Sequence, residues 1–208
     1  LEWGGGEGSF GRTPHGVFAL ALLRQIPQIP LMAPKEKNEL QHMLKSALDH
    51  SGPVALRYPR GNGDGVPLEH DLRILPIGKA ELVREGQHGV LLALGAMVYP
   101  AIEAAEQLAQ QGIDLTVINA RFVKPLDQDL ILQLAQRFGK LVTLEENALQ
   151  GGFGTAVLEL LEQKGVQLPV LRIGYPDQYI EQGEQHELRA VYGLDKDGIV
   201  TTVLKFMQ

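Results

Sequence analysis

The chain opens without a hydrophobic period. Residues 1–14 read LEWGGGEGSFGRTP, with four glycines by Gly8, and match neither a strand nor a helix. Regular patterning begins at His15. Residues 29–32 form a short apolar strand candidate, and Pro34 suits the first turn of a following helix. In that helix Leu40, Met43, Leu44, Ala47 and Leu48 recur at three- and four-residue spacing, which predicts that this face is buried. Ser51-Gly52-Pro53 stops it, and residues 54–58 read as another strand. Residues 61–78, GNGDGVPLEHDLRILPIG, are rich in Gly, Pro and charge and read as a linker.

Beyond the linker, strands and helices alternate. Residues 79–84 and 90–94 read as two strands around residues 85–89. A helix follows over 100–111, a strand over 115–119, a helix over 126–138 and a strand over 141–145. Glycines open a helix over 151–164; a strand over 170–173 and helices over 186–192 and 198–206 complete the chain. This spacing predicts an α/β fold with a mostly parallel sheet covered by helices. A generic doubly wound domain would read the same, and such a fold carries no function by itself.

Composition narrows the classes. The 208 residues are 44% hydrophobic and 21% charged, an ordinary globular profile. The formal net charge of −6 without a basic block argues against a nucleic-acid binder. With no cysteine there is no disulfide, thiolate metal site or cysteine nucleophile. The longest apolar run, residues 90–99, is far shorter than the ~20 residues of a membrane helix, so no membrane partner is expected. A start at Leu1 with no signal-peptide pattern suggests a cytoplasmic and incomplete chain.

Three places could carry chemistry. Arg57-Tyr58-Pro59-Arg60-Gly61-Asn62-Gly63 sets two arginines at a strand end before a glycine-rich exit, where α/β folds gather ligands. Guanidinium groups bind phosphate in bidentate, charge-assisted fashion. This reading gives an anionic substrate site with Arg60 as its main cation. The alternative is an arginine that caps a carbonyl or pairs with a carboxylate. Second, Glu145-Glu146-Asn147 precedes Gly151-Gly152-Phe153-Gly154. That is either a phosphate or dinucleotide loop at a helix start, or tight packing with helix-start electrostatics. Third, His15 stands at a loop-to-helix boundary where a catalytic base could project. His42, one position before Met43, reads as a surface residue, and the remaining histidines lack metal-ligand spacing.

Several motifs then line up in order: H-G-V-F-x-L-x-x-L-R from His15, M-A-P-K from Met32, R-Y-P-R-G-N-G from Arg57, L-P-I-G-K from Leu75, N-A-R-F-V-K-P-L-D from Asn119 and E-E-N-A-x-x-G-G-F-G from Glu145. Together they resemble the 1-deoxy-D-xylulose-5-phosphate synthase family, thiamine-diphosphate enzymes of the transketolase superfamily. The resemblance implies a partial pyrimidine-binding-domain segment over 1–62 (residues 1–14 aberrant) and a linker over 63–77. A transketolase C-terminal-type three-layer α/β domain follows over 78–208. It implies that Arg60, with Arg57 and Tyr58 nearby, holds the phosphate of glyceraldehyde 3-phosphate, the partner substrate of pyruvate. His15 matches the second, variable histidine of the family's substrate-site pair. The GGFG and RFVKPLD segments are expected in packing and interface roles.

The sequence also departs from the family. Phe10 and Pro14 stand where an acid and the first histidine work in the substrate site, and Ala19 stands where Asp is common. Residues 3–8 hold no counterpart of an upstream phosphate-binding arginine. Back-translating residues 7–13 one base earlier permits Gly-Ile-Val-x-Ala-Asp, which resembles the family there and suggests a frameshift. The family uses thiamine diphosphate and Mg; the residues that bind them would precede Leu1, so neither is expected to bind tightly here. The expectation is therefore a synthase fragment that is inactive by itself, working as a homodimer or with a missing N-terminal half. It would sit in a bacterial cytoplasm or a plastid stroma. The competing readings are a non-catalytic dimerisation or regulatory module and, on GGFG alone, a nucleotide-binding enzyme.

Overall fold

A computed structural model describes residues 16–59 and 65–208. The elements run α1 (Ala19–Arg24), β1 (Leu31–Met32), α2 (Lys37–Asp49), β2 (Ala55–Leu56), β3 (Glu81–Arg84), β4 (Gly89–Ala93), α3 (Val98–Ala109) and β5 (Leu115–Asn119). Then come β6 (Phe122–Lys124), α4 (Gln128–Phe138), β7 (Leu141–Ala148), α5 (Phe153–Gln163), β8 (Val170–Tyr175), α6 (Gln185–Val191) and α7 (Lys196–Met207).

The second half is a three-layer sandwich around a sheet ordered β3-β5-β4-β7-β8. The pairings of β4 with β5, β4 with β7 and β7 with β8 are parallel. Edge strand β3 runs antiparallel to β5, so the strands either side of residues 85–89 do not pair with each other. Gly86 explains the separation, because its backbone presses on Leu115 so closely that a Cβ would lie 2.2 Å from that carbonyl carbon. Its N–H donates to Thr116 Oγ1 at 3.0 Å.

Strand β4 is buried along its whole length, as expected when helices cover both faces of a parallel sheet. Leu91 and Ala93 face the α3 and α7 side with Ala101, Ala105, Leu108, Ile199 and Val203. Val90 and Leu92, pointing the opposite way, join Ile131, Leu134, Val157 and Leu160 of α4 and α5.

The first portion adds a small sheet ordered β2-β1-β6. Strands β1 and β2 are parallel, and β6, which belongs to the second half of the chain, pairs antiparallel with β1. The periodicity gave no warning of β6. Three residues are too few for a period, and the strand serves the other sheet.

Helix α2 corrects two expectations. It starts at Lys37 rather than at Pro34, because the Glu36 carboxylate caps it by accepting from Asn38 N (2.6 Å) and Glu39 N (2.9 Å). Leu44 and Leu48 of the anticipated buried face are 53% and 81% exposed. Of that face Met43 is buried, but Asn38, Glu39, His42 and Ser46 are the others turned inward, so His42 is not a surface residue.

The cause is the connector that lies over this helix. Asn38, His42 and Ser46, four residues apart, present polar groups to a segment without regular structure. Asn38 donates to Pro67 O (2.9 Å) and accepts from Glu69 N (3.0 Å). His42 Nδ1 accepts from Arg73 N (3.1 Å), leaving Nε2 toward Glu69 Oε2 (3.1 Å). Ser46 Oγ accepts from Leu75 N at 2.7 Å. The buried Leu75 amide needs a partner, and where no ladder supplies one the helix side chain does, while the half-covered groups of residues 67, 69 and 73 are met in the same way. The linker is therefore a strap, bound along its described length.

Ser46→Ala leaves the Leu75 N–H buried and unpaired, at a cost of about 1–3 kcal/mol. The expected fall in melting temperature, followed by circular dichroism, is roughly 2–12 °C. Leu48→Ser on the exposed face should stay within about 0.5 kcal/mol of the parent.

Candidate functional site

Strand β7 runs its last residues into protein, not water: Glu145, Glu146 and Asn147 are each 0% exposed. Burying consecutive ionisable groups is costly unless each finds partners. Each does. Glu145 accepts from Phe153 N (2.7 Å) and Gly154 N (2.8 Å), the free amides at the start of α5. Burial raises its pKa to about 7, with the two amides and the Arg57 and Arg172 charges pulling the other way. Gly152 is required for this approach, since a Cβ there would fall 2.1 Å from Glu145 Oε2. The group that accepts from the amides of this glycine-rich helix start is the chain's own Glu145 carboxyl. That geometry favours the packing reading of GGFG over a phosphate or dinucleotide loop.

Glu146 has a different set of partners. Its carboxylate takes Arg189 Nε (3.0 Å) and Nη2 (3.3 Å) and Gln185 Nε2 (3.3 Å) from α6. Its carbonyl accepts from Arg57 Nη2, reaching across from the end of β2. Arg57 is 2% exposed, and burial lowers its pKa against the raising pull of Glu146, Tyr175 and Glu145. Arg57 Nε and the Tyr175 hydroxyl are buried without a hydrogen-bond partner. Burial also pushes the Tyr175 pKa upward, with Glu146 adding to the shift.

Asn147 and the glycines seat the first portion of the chain. Asn147 Oδ1 accepts from Leu20 N (3.3 Å), and Ala148 N donates to Val17 O (2.7 Å). Arg24 Nη1 donates to Gly151 O (2.7 Å) and Gly152 O (3.2 Å), and its Nη2 pairs with Glu159. The E-E-N-A-x-x-G-G-F-G motif is thus a socket for residues 17–24 and for Arg57.

The R-F-V-K-P-L-D motif makes the second seam. Arg121, at φ 58°, donates to Glu39 (2.7 Å) and pairs with Glu81 (3.2 Å). Asn119 Nδ2 donates to both carboxylates, at 2.8 and 3.1 Å, and Lys35 of the M-A-P-K motif reaches Glu81 at 2.6 Å. Burial alone would raise the Glu81 pKa, but Lys35, Asn119 and Arg121 together hold it below the usual carboxylate range. Lys124 closes the seam on the Arg24 and Ile26 carbonyls, at 3.1 and 2.7 Å.

Of the residues singled out in the sequence, Arg57 stands in the first seam with its Nη2 on a carbonyl. Tyr58 beside it is half-buried. Arg60 and His15 lie outside the described residues. Arg24 closes the H-G-V-F-x-L-x-x-L-R motif but was given no role from sequence, and Arg189 and Tyr175 carry no motif spacing of their own; the paired acids of Glu145-Glu146 were the available signal. Among the described residues no three His, Cys, Asp or Glu side chains are grouped to hold a metal ion. No helix among them is long and apolar enough to cross a membrane.

The Glu145 carboxyl carries a testable pH dependence. Its folded pKa of about 7 lies above the ordinary 4.5, so the folded state holds the proton more tightly. Its contribution to stability is full below pH 4.5 and is lost as pH rises through 7. Between pH 4.5 and 8 the loss amounts to about 3 kcal/mol. Subtracting the pH profile of Glu145→Gln, measured by urea denaturation, should isolate a falling curve of that size. Parallel profiles would mean the carboxyl titrates normally.

The sequence matches the transketolase C-terminal domain family over residues 78–199 and the transketolase pyrimidine-binding domain family over residues 2–65. It is 61% identical over 209 aligned positions to 1-deoxy-D-xylulose-5-phosphate synthase 1 of Geobacter metallireducens, covering 100% of this chain and 33% of that protein. It is 60% identical to 1-deoxy-D-xylulose-5-phosphate synthase 2 of Geobacter sulfurreducens, covering 96% of this chain and 32% of that one. The chain spans about a third of the length of these relatives. Among solved structures, a chain described as a split gene transketolase, inactive beta4 tetramer, superposes with a TM-score of 0.82 at 32% identity. That match covers 93% of this chain and 62% of the other. The motifs, the three-layer sheet and these matches agree: the chain belongs to the transketolase family, with the family's C-terminal domain preceded by pyrimidine-binding-domain sequence.

Proposed function

We propose that these residues are the substrate-aldehyde and domain-junction portion of a 1-deoxy-D-xylulose-5-phosphate synthase. Such an enzyme converts pyruvate and glyceraldehyde 3-phosphate to 1-deoxy-D-xylulose 5-phosphate and CO2, an isoprenoid and thiamine precursor. The observation that carries this reading is similarity to the synthases along the whole chain at 61% identity. The carbon chemistry belongs to thiamine diphosphate, with Mg, bound by the remainder of the enzyme, and the protein supplies binding and orientation. In this reading Arg60 is the main cation for the aldehyde's phosphate, with Arg57 and Tyr58 beside it, and His15 lies near the same substrate.

The 208 residues alone are inactive in this reading, and they assemble with themselves or with the remaining part of the enzyme in a bacterial cytoplasm. The split transketolase relative, described as an inactive tetramer of beta chains, supports both points. The same description leaves a self-associating, non-catalytic module as the second reading.

Two assays decide. The chain with pyruvate, glyceraldehyde 3-phosphate, thiamine diphosphate and Mg should give no product above blank. Fused behind the first two thirds of the Geobacter metallireducens synthase, in place of that enzyme's last third, it should restore turnover. In the fusion Arg60→Ala removes charged hydrogen bonds of ~1.5–3 kcal/mol each, so kcat/KM for the phosphorylated aldehyde should fall roughly ten- to hundredfold. Pyruvate use should change less. Equal loss for both substrates would make Arg60 structural, and a fusion that never turns over would favour the non-catalytic module.

A further inference from the structure

Arg57 is an odd cation. It is 2% exposed, yet neither nearby carboxylate is hydrogen-bonded to it. Glu145 is committed to the α5 amides and Glu146 to Arg189 and Gln185. The bond described for its guanidinium is to one main-chain oxygen, that of Glu146, and its Nε has no partner. A buried charge with so few bonds weakens a fold more readily than it strengthens it, so its presence calls for a task other than stability.

Its position supplies one. Strand β2 is two residues long, and Arg57 N donates to Met32 O at 2.8 Å as the last rung before the chain turns toward Tyr58 and Pro59. So short a strand fixes the direction of its exit poorly. The guanidinium adds a second anchor in the other domain, on the strand whose end is itself locked by Glu145 and by the Glu146–Arg189 pair. The backbone of residues 57–59 is thereby held between β1 on one side and β7 on the other.

We propose that Arg57 is a positioning residue, not a phosphate ligand. Through the Glu146 carbonyl it lets the C-terminal domain set where the substrate-binding arginine motif leaves the small sheet. This rests on, and refines, the proposed role of that motif.

The test uses Arg57→Met, which removes the charge but keeps much of the buried volume, and Arg57→Lys, which restores a donor. In the 208-residue chain, Arg57→Met should melt close to the parent. The Ala55–Tyr58 amides should exchange hydrogen about tenfold faster, while those of residues 141–144 stay unchanged. In the active fusion, KM for glyceraldehyde 3-phosphate should rise about tenfold with kcat and the pyruvate KM nearly constant, and Arg57→Lys should recover part of the loss. With Arg60→Ala already present, Arg57→Met should add little, because both act through one contact. Additive losses would make Arg57 a ligand in its own right and overturn the inference. So would unchanged exchange at residues 55–58, a result readable even if the fusion is inactive. If Arg60→Ala leaves the aldehyde KM untouched while Arg57→Met speeds exchange, the motif's substrate role fails but the anchoring stands.

Discussion

The architecture at the junction depends on one constraint: the charged end of β7 has no water to turn to. Glu145, Glu146 and Asn147 enter the interior in succession, so every oxygen there must be met by a donor from another element. Helix α5 supplies amides, α6 supplies Arg189 and Gln185, and the first portion of the chain supplies Leu20 N and the Arg57 guanidinium. Satisfying one strand end therefore fixes two helices and a second domain at once.

The two seams divide the labour. The socket at β7 and the glycines binds mainly through main-chain atoms, while the Arg121 seam binds through side-chain charges shared between Glu39 and Glu81. Arg121 holds a left-handed backbone conformation that a residue other than glycine seldom adopts, at φ 58°. Its carbonyl accepts from Ala33 N, and its side chain lies in the carboxylate pair. The neighbouring strand β6 then joins the small sheet, so the second half of the chain completes the fold of the first.

Much of this was legible in the sequence, and what was not has a physical explanation. Strands such as β4 and β5 are apolar because both faces are covered, and that density of Val, Leu and Ile reads directly. Helix α2 is the contrary case. It carries a leucine stripe (Leu40, Leu44, Leu48) and a polar stripe (Asn38, His42, Ser46), both four residues apart. Periodicity identifies the helix, but which stripe turns inward depends on what lies above it. Here an irregular strap, whose amides no strand ladder pairs, selects the polar one. Arg57 was legible as important and illegible as to partner, since its acceptor is a carbonyl that no side chain announces. Arg60 and His15 fall outside the described residues, so their places rest on the family resemblance.

The use of main-chain oxygens at the first seam has a further consequence. Gly151, Gly152 and Glu146 each offer a carbonyl to an arginine from the other portion; at Glu146 that oxygen persists whatever side chain the residue carries, and at Gly152 the close Glu145 carboxylate keeps the position a glycine for a separate reason. Substitution on the acceptor side calls for no compensating change on the donor side. Methods that find contacts by correlated substitution in related sequences would be nearly blind to these three bonds, although they join the two domains. They would find the Glu39–Arg121 pair readily, and so would register one seam and miss the other.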